Sequence, residues 1–378
     1  MAPLWFASRI LFLLAIDMKH KCLNPNTAWI CGVIRCKSDG ILSQHLVFSP
    51  NEAIRYFNSI YGPLGESMMQ QYSVAVPCGK CAACQIRKRK EWTTRLSHEA
   101  EAFGDDCCFI TLTYNDDSVP VTCFNKVNGD RPKLVDRGVG ELPLQTLLPS
   151  DVQKFLKRLR RYLDYVPKSA KKRIGRDHID TPIRYYAVGE YGGRFGRPHY
   201  HIMIFGWRPS DMVYHSTRNG HIVFRSAQIE KLWKFGFSTV EPVQGGVAKY
   251  CSRYVTKKFA RLNDDKKDFF ADFVFPEFYL QSVRNGGIGA TYFDRHYETI
   301  MTRGYALIRN GGNYIKASIP TYYWRRCRNK NPCLWLELRD ERIQFAKSNP
   351  LIGGLEDLQR SVQCYAENEK RLAQYELF

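Results

Sequence analysis

Two runs of strand-forming residues, Ile183 to Glu190 and His199 to Phe205, flank a loop that holds Gly192, Gly193, Gly196 and Pro198. Runs of this kind read as an antiparallel hairpin. Side chains alternate across a strand, so His199 and His201 project from one face while Tyr200 and Ile202 project from the other. Two imidazoles on one face can reach one ion, although a His-x-His pair alone is equally what an incidental pair looks like. Glu190 closes the first strand, and an antiparallel return brings its carboxylate back beside both histidines. The competing reading is a hairpin-end charge in solvent. Two imidazoles and one carboxylate would leave positions open for water and phosphate oxygens.

Around the hairpin the pattern is that of an α+β chain with an antiparallel sheet. Cys108 to Tyr114 reads as a strand ended by Asn115-Asp116-Asp117, and Ser118 to Pro149 reads as a long surface insertion. Ser150 is placed to cap a helix with the apolar stripe Val152, Phe155, Leu156, Leu159 and Leu163. Ser226 to Phe235 is expected as a short helix, Phe237 to Val243 as a strand and Gly246 to Phe259 as a helix. Upstream, Met18 to Val76 is mixed and turn-rich, and Trp92, Leu96, Ala100 and Phe103 recur at helical spacing. The boundaries expected are 1–17 for an N-terminal extension, 18–104 for a cysteine-rich segment and basic helix, 105–260 for the α+β domain and 261–378 for a mixed C-terminal extension with a helical tail. The apolar run Ile10 to Ile16 is shorter than a membrane span and precedes no small-residue cleavage site, so no membrane partner is expected.

Lys and Arg number 56 against 37 Asp and Glu, a formal charge of +19 over 378 residues. A surplus of this size favours a polyanionic partner, because phosphate contacts release condensed counterions; the bland alternative is solubility. Candidate phosphate contacts are Arg87, Lys88 and Arg89 ahead of one helix and Lys154, Lys157, Arg158 and Arg161 around another. Solvated faces would look the same.

The 13 cysteines are odd in number and unevenly spaced, which argues against a disulfide framework and for a reducing compartment. Cys78, Cys81 and Cys84 have metal-ligand spacing. Structural Zn²⁺ is expected there, with Cys22 as fourth ligand and Cys31 and Cys36 as rivals. Reduced free thiols are the alternative.

Tyr250 and Tyr254 stand four apart on the expected helix and share a face, with Arg253, Lys257 and Lys258 nearby. A tyrosine titrates near ~10 and needs a cation or a polarised phosphate to act as a nucleophile. Both can equally be read as amphipathic packing residues. No phosphate-binding G-x-x-x-x-G-K-[ST] loop is present.

Thr111-Leu112-Thr113, Pro198-His199-Tyr200-His201 and Tyr250-Cys251-Ser252-Arg253-Tyr254-Val255-Thr256-Lys257 resemble, in order, the three motifs of HUH endonucleases that initiate rolling-circle replication. Val76-Pro77-Cys78-Gly79-Lys80-Cys81 with Cys84 and Trp92, Val188-Gly189-Glu190-Tyr191-Gly192, and Gly286-Gly287-Ile288-Gly289 with His296 narrow the resemblance to the replication-associated proteins of gokushovirus-type microviruses. It spans about Met18 to His296. The resemblance implies an RRM/ferredoxin-like HUH domain at 105–260, flanked by helices. It implies a metal site of Glu190, His199 and His201 holding Mg²⁺ or Mn²⁺, alternating nucleophiles Tyr250 and Tyr254, and Lys257 near the scissile phosphate. Arg253 stands where the pattern usually has Lys, and Arg253 and Lys258 are taken as DNA contacts. The implied activity is nicking of the viral origin through a 5′-phosphotyrosine link and religation of single-stranded circles. Its partners would be single-stranded DNA, origin-containing replicative DNA and a host helicase and polymerase, in the cytoplasm of the bacterial host. Two other readings stay open: a zinc-stabilised, non-catalytic DNA- or RNA-binding protein, and a plasmid relaxase.

Overall fold

The computed structural model describes residues 22, 25–35, 42–122, 134–137, 144–165, 182–192, 196–218, 221–243, 274–310 and 313–348. Its elements run β1 (Asn26–Arg35), β2 (Leu42–Val47), α1 (Pro50–Tyr61), α2 (Gly65–Gln71), β3 (Ser73–Val76), α3 (Ala82–Phe103), β4 (Cys107–Tyr114), β5 (Pro120–Thr122), β6 (Leu134–Arg137), β7 (Leu144–Gln145) and α4 (Pro149–Tyr165). There follow β8 (Arg184–Tyr191), β9 (Pro198–Phe205), β10 (Val213–Arg218), β11 (His221–Arg225), α5 (Ala227–Leu232), β12 (Gly236–Pro242), β13 (Phe278–Gln281), α6 (Ala290–Arg303), β14 (Ala306–Asn310), β15 (Asn313–Ala317), α7 (Thr321–Lys330) and α8 (Pro332–Ser348). The chain divides into two compact units, Met1–Arg87 with Trp324–Phe378, and Lys88–Tyr323.

In the first unit, β2-β1-β3 form an antiparallel sheet, and Trp29, Cys31, Val47, Ala53, Phe57 and Met69 make its apolar cluster. The region read as mixed and turn-rich therefore has regular structure, whose short strands carry little alternation to betray them.

The second unit is built on a seven-stranded sheet in the order β10-β11-β12-β4-β9-β8-β13, every neighbouring pair antiparallel. Its outer strand β13 lies beyond residue 260. The expected hairpin is β8 and β9, and the expected strands at 108–114 and 237–243 are β4 and β12. The hairpin β10–β11 is an addition to the expected elements, although Asn219-Gly220 in the sequence is its usual signal. Within the expected insertion at 118–149, β6-β5-β7 form a small sheet of their own.

The two faces of the large sheet are covered differently. On one, Ile110, Leu112, Tyr200, Ile202 and Ile204 pack against Val152, Phe155, Leu156, Leu159 and Leu163 of α4 and Ile229 of α5. These are the α4 stripe positions, each worth about 1.5–3 kcal/mol when fully buried. The helix starts at Pro149, one residue before the expected cap, because proline's fixed φ suits the first helical position. On the same face the Tyr114 hydroxyl donates to Asp151 Oδ2 at 2.8 Å and lies 2.8 Å from the Tyr200 hydroxyl. Tyr200 also exchanges bonds with the Leu148 backbone, so this buried network fixes the start of α4 to the two central strands. Burial drives both phenols far above their usual pKa, and they stay protonated.

On the opposite face Trp92, Leu96 and Phe103 of α3 cover Phe109, Tyr186, Met203 and Phe205. The buried Arg184 and Glu99 pair there, and Gly289 N–H donates to Glu99 Oε2 at 2.6 Å. Arg184 also donates to the carbonyls of Arg284 and Gly287, and Arg95 to that of Ile288. The Gly286–Gly289 motif is thus clamped to α3. Gly289 has φ +83°, and a Cβ there would sit 2.6 Å from the Tyr323 hydroxyl, so only glycine fits.

His98 of α3 is fully buried, with Nδ1 2.9 Å from the Tyr323 hydroxyl and Nε2 2.9 Å from the Leu307 carbonyl. Burial lowers its pKa from 6.5 to about 4, partly opposed by the Leu307 carbonyl. The unfolded chain therefore binds the proton more readily, and stability falls as pH drops from 6.5 towards 4. The full loss is about 3 kcal/mol. In denaturant titrations at stepped pH, the stability advantage of wild type over His98→Gln should shrink across that window and be constant above it.

Candidate metal centre and active site

The register of the sheet brings three of the sequence-identified residues to one place. Glu190 lies opposite His199, and Val188 opposite His201, so the carboxylate and both imidazoles share a face. Oε1 of Glu190 is 2.8 Å from Nε2 of His199 and 3.2 Å from Nε2 of His201. Glu190 and His201 are buried and His199 is half-buried.

The far nitrogens decide what the near ones can do. His199 Nδ1 is 3.0 Å from the Arg197 carbonyl, which can only accept, so Nδ1 carries the proton and Nε2 presents a lone pair. His201 Nδ1 is 3.1 Å from Thr111 Oγ1, whose hydroxyl can accept in the same way. Phe109 stacks on the His201 ring at 5.4 Å and 10°, which fixes its plane. One oxygen and two nitrogen donors, all within 4.8 Å of one another, suit a divalent ion that prefers mixed N/O ligation. Thr111 belongs to a sequence motif that assigns it no role of its own; strand pairing across 90 residues supplies one.

Gly189 explains why the hairpin accepts β13. A Cβ there would lie 2.6 Å from the Phe278 ring, and Phe278 pairs with Gly189 across β8 and β13. Tyr191 adds bonds to Glu277 Oε1 at 3.1 Å and to the Phe275 carbonyl at 2.7 Å, holding the Glu190 end of the strand.

A second cluster lies in the first unit. Sγ atoms of Cys22, Cys78, Cys81 and Cys84 all lie within 4.8 Å of one another, with Cys22 and Cys81 3.7 Å apart, far beyond the ~2 Å of a disulfide. Backbone N–H groups of Lys80 and Cys81 donate to Cys78 Sγ at 3.4 and 3.2 Å, and that of Cys78 to Cys22 Sγ at 3.2 Å. Gly79, at φ +74°, makes the turn that aims them. Donors directed at sulfur stabilise thiolates, the form that binds metal. Cys31, one rival for the fourth position, is instead buried with Trp29 and Phe57; Cys36 lies outside the described residues.

The basic residues divide. Lys154, Lys157 and Arg161 are exposed on α4, which covers the sheet face opposite the histidines. Arg158 is turned inward, donating to the Leu232 carbonyl at 2.8 Å beside Phe235, so it ties α4 to α5. Lys88 lies on the histidine side, 5.8 Å from the ring centre of Tyr279 on β13, while Arg87 Nη2 is 3.8 Å from Cys84 Sγ. Arg89 is half-buried in α3. Tyr250, Arg253, Tyr254, Lys257 and Lys258, with the helix expected at 246–259, lie outside the described residues. So do residues 1–17 and the tail expected as helix at 355–377. Among the described residues no helix is long and apolar enough to cross a membrane.

A family model for the phage replication-associated protein ORF2 and its relatives matches residues 107–259. The chain is 29% identical over 266 residues to replication-associated protein VP4 of Bdellovibrio phage phiMH2K, covering 70% of this chain and 71% of the relative. It is 30% identical over 253 residues to replication-associated protein ORF2 of Spiroplasma virus 4, covering 67% of each, and 30% identical over 200 residues to replication-associated protein ORF4 of Chlamydia phage 1, covering 52% and 41%. No solved structure matches.

If Thr111 fixes the His201 tautomer, Thr111→Val should weaken Mn²⁺ binding about tenfold or more, while Thr113→Val leaves it within about twofold, as measured by calorimetry. Equal affinities for wild type and Thr111→Val would refute that role.

Proposed function

The chain belongs to the family of microvirus replication-associated proteins, and from that premise we propose that it is a metal-dependent DNA-nicking and strand-transfer enzyme of the HUH type that initiates rolling-circle replication. The observation that carries this reading is the convergence of Glu190, His199 and His201 with both Nδ1 atoms turned away to the Arg197 carbonyl and the Thr111 hydroxyl. Mg²⁺ or Mn²⁺ held there would draw charge from a phosphate and make its phosphorus a better electrophile. The antiparallel sheet, with helices on both faces and the two histidines on a central strand, supports an HUH domain.

Tyr250 and Tyr254 are the nucleophiles in this reading, on the strength of their spacing and of the cations around them. The phenol oxygen of one attacks the scissile phosphorus, the bond from phosphorus to the 3′ oxygen breaks, and a 5′-phosphotyrosine forms. The proton leaving the phenol is balanced by the one taken up on the 3′ hydroxyl. Lys257 stabilises charge at that phosphate, and Arg253 and Lys258 contact the backbone. Because the phosphodiester energy is kept in the new bond, the second tyrosine can complete the reverse transfer and close a circle without a nucleotide cofactor. Lys88 and Arg89 contact DNA on the histidine side. Lys154, Lys157 and Arg161 would meet only DNA that passes round to the other face. Host helicase and polymerase supply strand separation and synthesis, in the cytoplasm of a bacterial host.

Incubation with origin-containing single-stranded DNA and Mn²⁺ is expected to give a denaturant-resistant adduct, lost when both Tyr250 and Tyr254 become Phe and when His199 and His201 become Ala. An adduct formed undiminished by the double tyrosine variant would overturn the assignment. Salt-dependent binding with no adduct under any divalent ion would favour a non-catalytic binding protein.

The four cysteines hold structural Zn²⁺ in this reading and fold the N-terminal segment. Purified protein should carry about one zinc per chain by atomic absorption. Cys22→Ser should lower that content and the melting temperature, whereas Cys31→Ser should leave the zinc content unchanged.

A further inference from the structure

Strand β12 alternates as a two-faced strand must: Ser238 and Val240 turn towards the face covered by α4, and Phe237, Thr239 and Glu241 share the face of His199 and His201. On that face the aromatic rings of Phe109 and Tyr186 are buried under α3. Phe237 differs, with 67% of its surface exposed.

Its place in the register gives the exposure meaning. Phe237 pairs with Thr113, Thr113 with His199 and His199 with Glu190, so the four form one row across three strand boundaries. Two strand spacings, roughly 10 Å, separate Phe237 from His199. Thr113 between them is small, as are Thr239 and Thr111 in the next row, so a low floor runs from the ring to the ligand cluster.

We propose that Phe237 is a stacking platform for an unpaired base of the DNA strand whose phosphate lies at Glu190, His199 and His201. The inference rests on the nickase reading only for the position of that phosphate. A phenyl ring offers a π-face that any base can cover, so the contact is tolerant of sequence. Bases in a duplex have both faces covered by their neighbours, so the platform selects single-stranded DNA. Phe237 meets no phosphate in this arrangement. It adds affinity and holds the strand in register, while the positive charge of the chain draws the backbone in.

The test is fluorescence anisotropy with the full chain, a chelator, and a labelled single-stranded oligonucleotide of mixed sequence alongside its duplex form. Phe237→Ala is expected to weaken single-strand binding roughly tenfold with the slope against salt unchanged. Phe237→Tyr should stay within about twofold, and Phe237→Leu should behave like Ala, because stacking and not apolar bulk is at issue. Duplex affinity should be the same for all. Wild-type affinity in Phe237→Ala or in Phe237→Leu overturns the proposal, as does an equal loss for duplex or a wild type that does not bind single strands. Because the assay involves no cleavage, failures separate. The expected series from a protein that forms no adduct leaves the platform standing without the nickase. Normal adduct formation and normal affinity in Phe237→Ala removes the platform alone.

Discussion

A slip of one residue between Arg184–Tyr191 and Pro198–Phe205 would send Glu190 to the opposite face from His199 and His201 and bury a carboxylate against α4. The pairing of these two strands is therefore the constraint on which the rest of the molecule depends. Three features hold it in place. Alternating apolar residues commit Tyr200, Ile202 and Ile204 to the α4 side. The Tyr200 hydroxyl is locked to Tyr114 and the Leu148 backbone. Phe278 packs on Gly189, where no other residue leaves room.

The two faces of the sheet divide the work. The α4 side is an apolar core sealed by one polar network, so its residues contribute stability and precision. The α3 side is covered at one end by Trp92, Leu96 and Phe103, and the ligand cluster and Phe237 lie on the same face nearer the Glu190 end of β8. Ligands on central strands that are packed from behind cannot drift, and outer contacts through Thr111 and the Arg197 carbonyl fix the imidazole tautomers. The clamp of Glu99, Arg184 and Arg95 on Gly286–Gly289 serves the same end, securing α3 from a distant part of the chain.

Much of this is legible in single segments. The hairpin, the strand at 108–114, the α4 stripe and the helix carrying Trp92 and Leu96 follow from period and turn residues, because those signals are local. The helices and strands of 26–76 do not announce themselves, nor does β13, since short elements have too few residues to show a period. For β10–β11 the signal exists in Asn219-Gly220, but the flanking strands are too polar to make it stand out.

Spacing within a few residues is enough to specify the ligand types: two histidines two apart on a strand, a glutamate at the hairpin end and three cysteines at metal spacing. Which distant groups complete them emerges only when the chain is folded. Cys22 rather than Cys31 joins the thiol cluster, Thr111 rather than Thr113 meets His201, and Arg158 is taken from the surface to cap a carbonyl. Phe237 acquires its place beside His199 by pairing through β4. The physical reason is that register and burial are set by the packing of the whole sheet, which no local pattern records.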